Sequence, residues 1–300
     1  MEKAARYLMA VGLAVGLVTS LVAFVGGWPG DMISPFRIQF LILATAGLVA
    51  TVLLKKRWLI ALAAVVVAVN LAPVAWRIFN RPILPAEAQG KPVSLVFSNV
   101  LTGNPEHAKV LALVEAEGPD IFAAAETSPE WIAALEGLSD RYPYRYGPDL
   151  GIFGVAIYAQ RPFKAEVFEL GTRGMTAARA DFGDFVLYVA HPMPPANTVL
   201  TVDNRVYLDA LAVRIARETK PVVLAGDLNA TLWSGSLNSL MANRMQWPSG
   251  SGITHTWPEG RPWLAIQIDH VLTKGVKAGK FKVLTPVGSD HLPVRTDLVF

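Results

Sequence analysis

Several apolar stretches of this chain end in, or lead into, residues able to do chemistry. Asn99 follows "VSLVFS", Glu126 follows "IFAAA" and His191 follows "FVLYVA". Asp227 and Asn229 close "VVLAGDLN", Asp269 and His270 follow "AIQI", and Asp290 and His291 precede the closing run "LPVRTDLVF". A carboxylate placed after a fully apolar strand needs a partner, because burying it alone is costly. Any one Asn or Asp in such a place is ordinarily a turn residue. Six strands meeting the same kinds of residue are hard to attribute to turns. The residue types suit metal-assisted hydrolysis of a phosphate ester. Carboxylate and amide oxygens are ligands for hard cations, Mg2+ first and Mn2+ second. Histidines can move protons or bond to phosphate oxygens. The chain holds no cysteine, no His-x-x-x-His pair, no G-x-x-x-x-G-K loop and no G-x-S-x-G elbow. Cysteine-based zinc sites, nucleotide-driven transfer and serine-elbow chemistry are therefore disfavoured.

The elements that must position these residues can be read from periodicity. "VSLVFSNV", "PDIFAAAE", "GVAIYAQRPF", "AARADFGDFVLYVAHP" and "PVVLAGDLNA" read as strands, and "AIQIDHVLT" and "HLPVRTDLVF" as the closing pair. "NPEHAKVLALVEAEG" has helical spacing and stops at Gly118. "SPEWIAALEGL" opens on a Ser128 N-cap, and "NRVYLDALAVRIARE" is amphipathic with Arg205 at its start. Helices alternate with strands, so the fold class is an α/β sandwich, with the loops at one sheet edge as the place for a site.

The segments "SNV", "AAAETSPEW", "AHP", "GDLNAT", "QIDHVL" and "GSDHLPV", in that order from Val93 onward, resemble the endonuclease/exonuclease/phosphatase superfamily, the group of DNase I-like enzymes. The resemblance implies a four-layered α/β sandwich of two mixed sheets flanked by helices. It further implies a metal held by Asn99, Glu126 and Asp290, and catalytic roles for the remaining polar residues. Asp227 would orient or deprotonate the attacking water, with Asn229 fixing phosphate and Asp227. Asp269 would pair with His291, which faces phosphate oxygens, and His191 would sit on the opposite flank. The Pro-rich stretch "MPPANTVLTVDNR" resembles a membrane-anchored bacterial branch, the teicoplanin-resistance membrane phosphatases. That likeness suggests a lipid-linked substrate such as polyprenyl pyrophosphate, with Arg205 either a clamp on a second phosphate or a solvated arginine at the helix start.

Composition supports an anchor. The sequence is 52% apolar and 17% charged. Uncharged runs cover Tyr7 to Gly30, Ile38 to Leu54 and Trp58 to Trp76, each near or above the length needed to span a bilayer. Three transmembrane helices in residues 1–80, a Pro/Ala/Gly-rich linker over 81–91 and a catalytic domain over 92–300 are expected. Lys3 and Arg6 before the first span and Lys55, Lys56 and Arg57 after the second favour a cytoplasmic N-terminus in the cytoplasmic membrane. Three spans then place the catalytic domain outside, in the periplasm; Arg77 and Arg81 on the exit side weaken that signal. Nothing requires the spans to touch the chemistry. Residues 1–91 carry nine Lys/Arg against three Asp/Glu, net +6, and residues 92–300 carry eighteen against twenty-one, net −3. A mildly acidic catalytic domain is a poor match for nucleic acid. The expected partners are the membrane bilayer and a lipid-linked phosphate. An anchored nuclease or sphingomyelinase-like phosphodiesterase is the alternative. Trp233, Trp247, Trp257 and Trp263 either pack in the core and loops or rim the site toward lipid.

Overall fold

The computed structural model describes residues 2–81, 90–148 and 150–300. The linker expected over 81–91 lies, for 82–89, outside the described residues. Helix α1 (Glu2–Val22) ends eight residues before the uncharged run does, ahead of Gly26 and Gly27. The following stretch, which contains "GGWPGDMISPFR", is largely helical. It forms α2 (Trp28–Ile33) with a proline in its first turn, then a 3-10 turn, Ser34–Phe36, that runs into α3 (Arg37–Leu53). The reversal is tight: a Cβ on Gly30 would lie 1.8 Å from the Val25 carbonyl oxygen, so only glycine fits. Helix α4 (Arg57–Phe79) continues through Pro73. Lys3–Val22, Trp28–Leu53 and Arg57–Phe79 are each long and apolar enough to cross a membrane. They pack through Leu13, Ala44, Leu59, Ala63 and Val66, and Asn70 Nδ2 donates to Ser20 Oγ at 2.8 Å across the bundle.

The rest is the expected sandwich. One sheet contains β1 (Val93–Asn99), β2 (Ile121–Ala125), β3 (Tyr144–Tyr146), β4 (Val155–Ala159), β10 (Lys277–Ala278), β11 (Lys282–Val283) and β12 (Val294–Val299). Its order is β10-β12-β1-β2-β4-β3, with β11 also on β12. The other runs in sequence order: β5 (Lys164–Leu170), β6 (Met175–Asp181), β7 (Val186–Ala190), β8 (Val222–Asp227) and β9 (Asp269–Lys274). Inward-facing side chains of the two sheets, among them Leu95, Phe97 and Ile157 against Leu187, Val223 and Val271, form the central core. Alternate residues face out. Helices α5 (His107–Glu117) and α6 (Pro129–Leu135) cover Val96, Phe122 and Tyr158 on one flank. Helices α7 (Thr198–Ala216) and α8 (Asn238–Ala242) cover Val186, Tyr188 and Leu224 on the other. Ser128 caps α6, accepting from Trp131 N, as its sequence predicts. Helix α7 begins earlier than expected. Asn197 caps it by accepting from Leu200 N at 3.0 Å, so Arg205 lies inside the helix and not at its start.

Topology decides where the polar residues gather. Strands β1 and β2 are parallel, with Asn99 beside Ala125, and β7 and β8 are parallel, with Ala190 beside Gly226. Four carboxyl ends therefore reach one edge. Strand β9 is antiparallel to β8, with Asp269 beside Asp227, and β12 is antiparallel to β1, with Val294 beside Phe97. Their amino ends come to the same edge. Asp269 and His270 thus begin a strand, and do not end one as their position after "AIQI" suggests. Gly226 makes the β7–β8 approach possible, because a Cβ there would lie 2.1 Å from the Ala190 carbonyl oxygen.

The three apolar N-terminal helices are tied to the sandwich by side chains. Gln39 donates to the Ala265 carbonyl at 2.9 Å. Arg77 donates to the Leu232 carbonyl and to Asn238, each at 2.9 Å, and Arg81 donates to the Trp247 carbonyl. Two of the arginines that blur the orientation signal in the sequence are thus engaged by the sandwich.

Candidate active site

Five side chains form an unbroken acid–imidazole chain along the shared edge. Glu126 Oε1 lies 3.4 Å from His191 Nε2, and His191 Nδ1 lies 3.5 Å from Asp227 Oδ2. His291 Nε2 lies 3.6 Å from that same Asp227 oxygen, while its Nδ1 lies 2.9 Å from Asp269 Oδ2. Asn99 bridges the chain, donating from Nδ2 to Glu126 Oε1 at 2.8 Å and to Asp227 Oδ2 at 3.1 Å. Glu126 Oε2 accepts from the Thr102 backbone at 3.2 Å. Asn99, His191, Asp227, Asp269 and His291 are all buried.

Backbone conformation contributes to this placement. Glu126 has φ +60° and Asn229 φ +50°. Positive φ is unusual for residues with a side chain, and its cost is tolerated where function fixes the position. At Asn229 the turn lets its N–H reach Asp227 Oδ1 at 2.9 Å while its amide donates to the Pro192 carbonyl at 3.0 Å. The second tier was not singled out by sequence reasoning. Asn204 on α7 holds the Met193 and Leu228 carbonyls at 2.9 and 3.3 Å. The Tyr207 hydroxyl donates to the Thr176 carbonyl at 2.9 Å and accepts from His191 N at 3.3 Å. Thr256 Oγ1 accepts from Asp269 N at 3.2 Å, and Ser289 Oγ donates to the Asn99 carbonyl at 2.8 Å. Polar residues at buried positions of an amphipathic helix, as Asn204 is, were the available signal.

The electrostatics follow from burial against pairing. Burial opposes ionisation of Glu126, but the bonds from His191 and Asn99 outweigh it and pull the carboxyl down to about 2. Burial likewise opposes a charged His291, yet Asp269 and Asp227 push it up to about 10. His191 is also raised, with Glu126 and Asp227 outweighing its burial. Burial raises Asp227, against the pull of both imidazoles, which suits a group that must accept a proton. His270 stands apart, buried with Nε2 2.8 Å from the Ala230 carbonyl, and burial pushes it down to about 4.

Four carboxyl groups, those of Glu126, Asp227, Asp269 and Asp290, share this edge with two imidazoles, His191 and His291. Asp227, Asp269 and His291 form a buried group whose ligand atoms all lie within 4.8 Å of one another, close enough to hold a metal ion. There a cation would compete with the proton that the two acids keep on His291. Asp290 accepts from Trp257 Nε1 at 2.9 Å through Oδ2, and its Oδ1 is buried without a partner among the described residues. A buried carboxylate oxygen with no donor fits a cation. The hard carboxylate oxygens of Glu126 and Asp290 suit Mg2+ or Mn2+, whereas Asn99 turns Nδ2 to Glu126 and its Oδ1 accepts from Leu101 N at 3.0 Å.

Glu126, Asp227, Asn229, Asp290 and the two imidazoles line a cavity of about 440 Å³. Its other walls are mostly apolar, including Phe153, Pro195, Trp257 and Ile268. Asp31 and Met32 of α2 and Pro35 and Phe36 of the 3-10 turn before α3 also line it. The apolar N-terminal segment therefore touches the site. Arg205 is not among the lining residues. It grips Asp31 through Nε at 2.5 Å and a terminal nitrogen at 2.7 Å, where a clamp on a second phosphate was expected. Of the four tryptophans, Trp233 and Trp247 are buried in the core under α7, Trp257 lines the cavity, and Trp263 is 72% exposed.

The fold has known counterparts. It superposes on an endonuclease/exonuclease/phosphatase from Beutenbergia cavernae (20% identity, TM-score 0.55, covering 70% of this chain and 72% of that one). It superposes on sphingomyelinase C from Streptomyces griseocarneus (14% identity, TM-score 0.51, 69% and 99%). It also matches D. rerio TDP2 complexed with single strand DNA product (14% identity, TM-score 0.54, 70% and 100%). No curated protein matches the sequence. At these identities the superpositions speak for the fold alone. The sequence pattern of the Endonuclease/Exonuclease/phosphatase family, whose members hydrolyse phosphoester bonds, matches residues 96–291 and spans the whole acid–imidazole edge. On that match and this fold, the chain belongs to the Endonuclease/Exonuclease/phosphatase family.

Proposed function

We propose that the protein is a membrane-anchored, Mg2+-dependent phosphohydrolase that cleaves a phosphoester or pyrophosphate bond of a lipid-linked substrate outside the cytoplasmic membrane. One observation carries this reading: the acid–imidazole chain forms the floor of a cavity whose walls are mostly apolar and partly built from the membrane anchor. A cation held by Glu126 and Asp290 would supply positive charge to the phosphoryl oxygens. Asp227, raised by burial, takes the proton of the attacking water, and Asn229 holds Asp227 through its backbone N–H. His291, kept as imidazolium by Asp269, donates Nε2–H toward a phosphate oxygen. His191 stands between Glu126 and Asp227 on the opposite flank and steadies charge there as the leaving oxygen departs. The net charge of −3 over residues 92–300 supports a lipid over a nucleic acid. Phosphate release by the detergent-solubilised full-length protein tests the reading, with Mg2+ or with chelator, on polyprenyl pyrophosphate, sphingomyelin and plasmid DNA. Metal-dependent release from the lipid pyrophosphate is expected. Faster cleavage of DNA or of sphingomyelin than of the lipid pyrophosphate would move the assignment to a phosphodiesterase.

A further inference from the structure

A second cavity, of about 240 Å³, adjoins the first and shares Pro35 and Ile266 with it. One wall continues onto α3 at Ile38 and Ile42, and the other is the loop carrying Ile253 and Trp263. Pro35, Ile38 and Ile42 follow helical spacing and so lie along one face. The outer end is open: Ile42 is 63% exposed and Ile253 68% exposed. The Gln267 amide on this wall is already engaged, accepting from Thr254 Oγ1 at 2.8 Å and donating to Ser251 Oγ at 2.7 Å. What remains, apart from the exposed His255 at its rim, is a largely apolar groove running from the side of a candidate membrane span toward the acid–imidazole floor. The Gln39 bond to the Ala265 carbonyl fixes its two walls against each other.

We propose that this groove is the track for the apolar chain of a phosphorylated membrane lipid. The chain lies against Ile42, Ile38 and Pro35 on one side and Ile253, Trp263 and Ile266 on the other, and the phosphate reaches Glu126, Asp227 and His291. The proposal rests on the lipid-phosphohydrolase reading and adds the route and the residues that select the chain. A water-soluble phosphate has no use for such a groove, whereas each buried methylene adds roughly a factor of four in affinity.

The test uses the full-length protein in phospholipid nanodiscs and a long-chain alkyl phosphonate carrying a photoreactive diazirine at mid-chain. An alcohol with the same chain serves as control, and labelled peptides are read by mass spectrometry. Label is expected on residues 35–42 and 253–266, at least ~5-fold stronger with the phosphonate than with the alcohol, because headgroup capture concentrates the chain there. Ile38→Trp, which fills the groove, and Ile253→Ser, on an exposed loop, are each expected to cut that label at least ~3-fold. Equal labelling by the two probes overturns the proposal. So does phosphonate label confined to outward faces such as Val15 and Val49, or groove label that neither variant reduces. The phosphonate is not cleaved, so a protein that releases phosphate from no substrate would refute the hydrolysis reading while the labelling pattern still decides the track.

Discussion

Replacing either member of the Asp31–Arg205 pair should destabilise the protein, but unequally. The Asp31 side chain is 5% exposed and that of Arg205 34%. Both Asp31 oxygens are engaged, at 2.5 and 2.7 Å. Arg205→Ala strands a buried carboxylate, and removing one partner of a buried pair costs about 3–5 kcal/mol. Since the pair is only partly buried, the lower end applies, about 3 kcal/mol. Asp31→Asn leaves an arginine that can turn to water, so its loss lies nearer the value for exposed pairs, about 1 kcal/mol. At about 2–4 °C per kcal/mol, the melting temperature should fall by roughly 6–12 °C for Arg205→Ala and by roughly 2–4 °C for Asp31→Asn. Combining Asp31→Asn with Arg205→Met removes both charges and should recover most of the larger loss. Thermal unfolding of full-length protein in detergent, followed by tryptophan fluorescence, measures all three variants. Equal losses in the single variants, or a larger loss for Asp31→Asn, would refute the assignment of Asp31 as the buried, dependent partner.

Other outcomes follow from the site. Glu126→Gln keeps the side-chain size but removes charge, and should lower turnover by at least ~10²-fold while the melting temperature changes little. Near-normal turnover at saturating Mg2+ would exclude Glu126 as the metal-holding residue. Asp269→Asn removes the partner that helps hold His291 charged to about pH 10. A raised imidazole keeps its proton below its folded pKa, so losing Asp269 lets that proton go earlier. The alkaline limb of the pH–rate profile should move acidward by about one unit or more, and an unmoved limb would show that His291 does not set it. A reporter active only in the periplasm should work when fused after Phe300 and stay silent after Arg57; the reverse pattern would put the catalytic edge in the cytoplasm.

The sequence displayed the residues of the edge because each is polar at the end of an apolar run, and pairing two parallel strands puts such ends side by side. Asn99, Glu126, His191 and Asp227 come together for that reason. Asp269 was legible as a site residue but not as the start of a strand. "AIQI" is apolar enough to read as β, yet Ile266 makes only an isolated bridge to Trp257 before β9 begins. The Asp31–Arg205 contact was not legible. The two residues are 174 positions apart, and Asp31 sits in a stretch that charge counting treats as a connection between spans. Arg205 looked like a helix-start residue because the prolines before it hid the cap at Asn197, which starts α7 at Thr198. The cavity walls escaped for a similar reason. Met32 and Phe36 are apolar residues among many in an apolar anchor, and only packing distinguishes those that face a site from those that face lipid.

Gln39, Arg77, Arg81 and Arg205 each join the apolar N-terminal segment to the sandwich by hydrogen bonds. These contacts lie at one end of the bundle, where α3 begins and α4 ends, so the sandwich does not roam on a tether; were the helices to cross a bilayer, as proposed, it would be carried at a set height and tilt over it. Its cavity would then sample molecules arriving sideways through one leaflet, not molecules arriving from bulk solution. For a lipid substrate the quantity governing saturation is then mole fraction in the membrane. Diluting the substrate with inert lipid should slow the enzyme even when the number of substrate molecules per volume of suspension is unchanged.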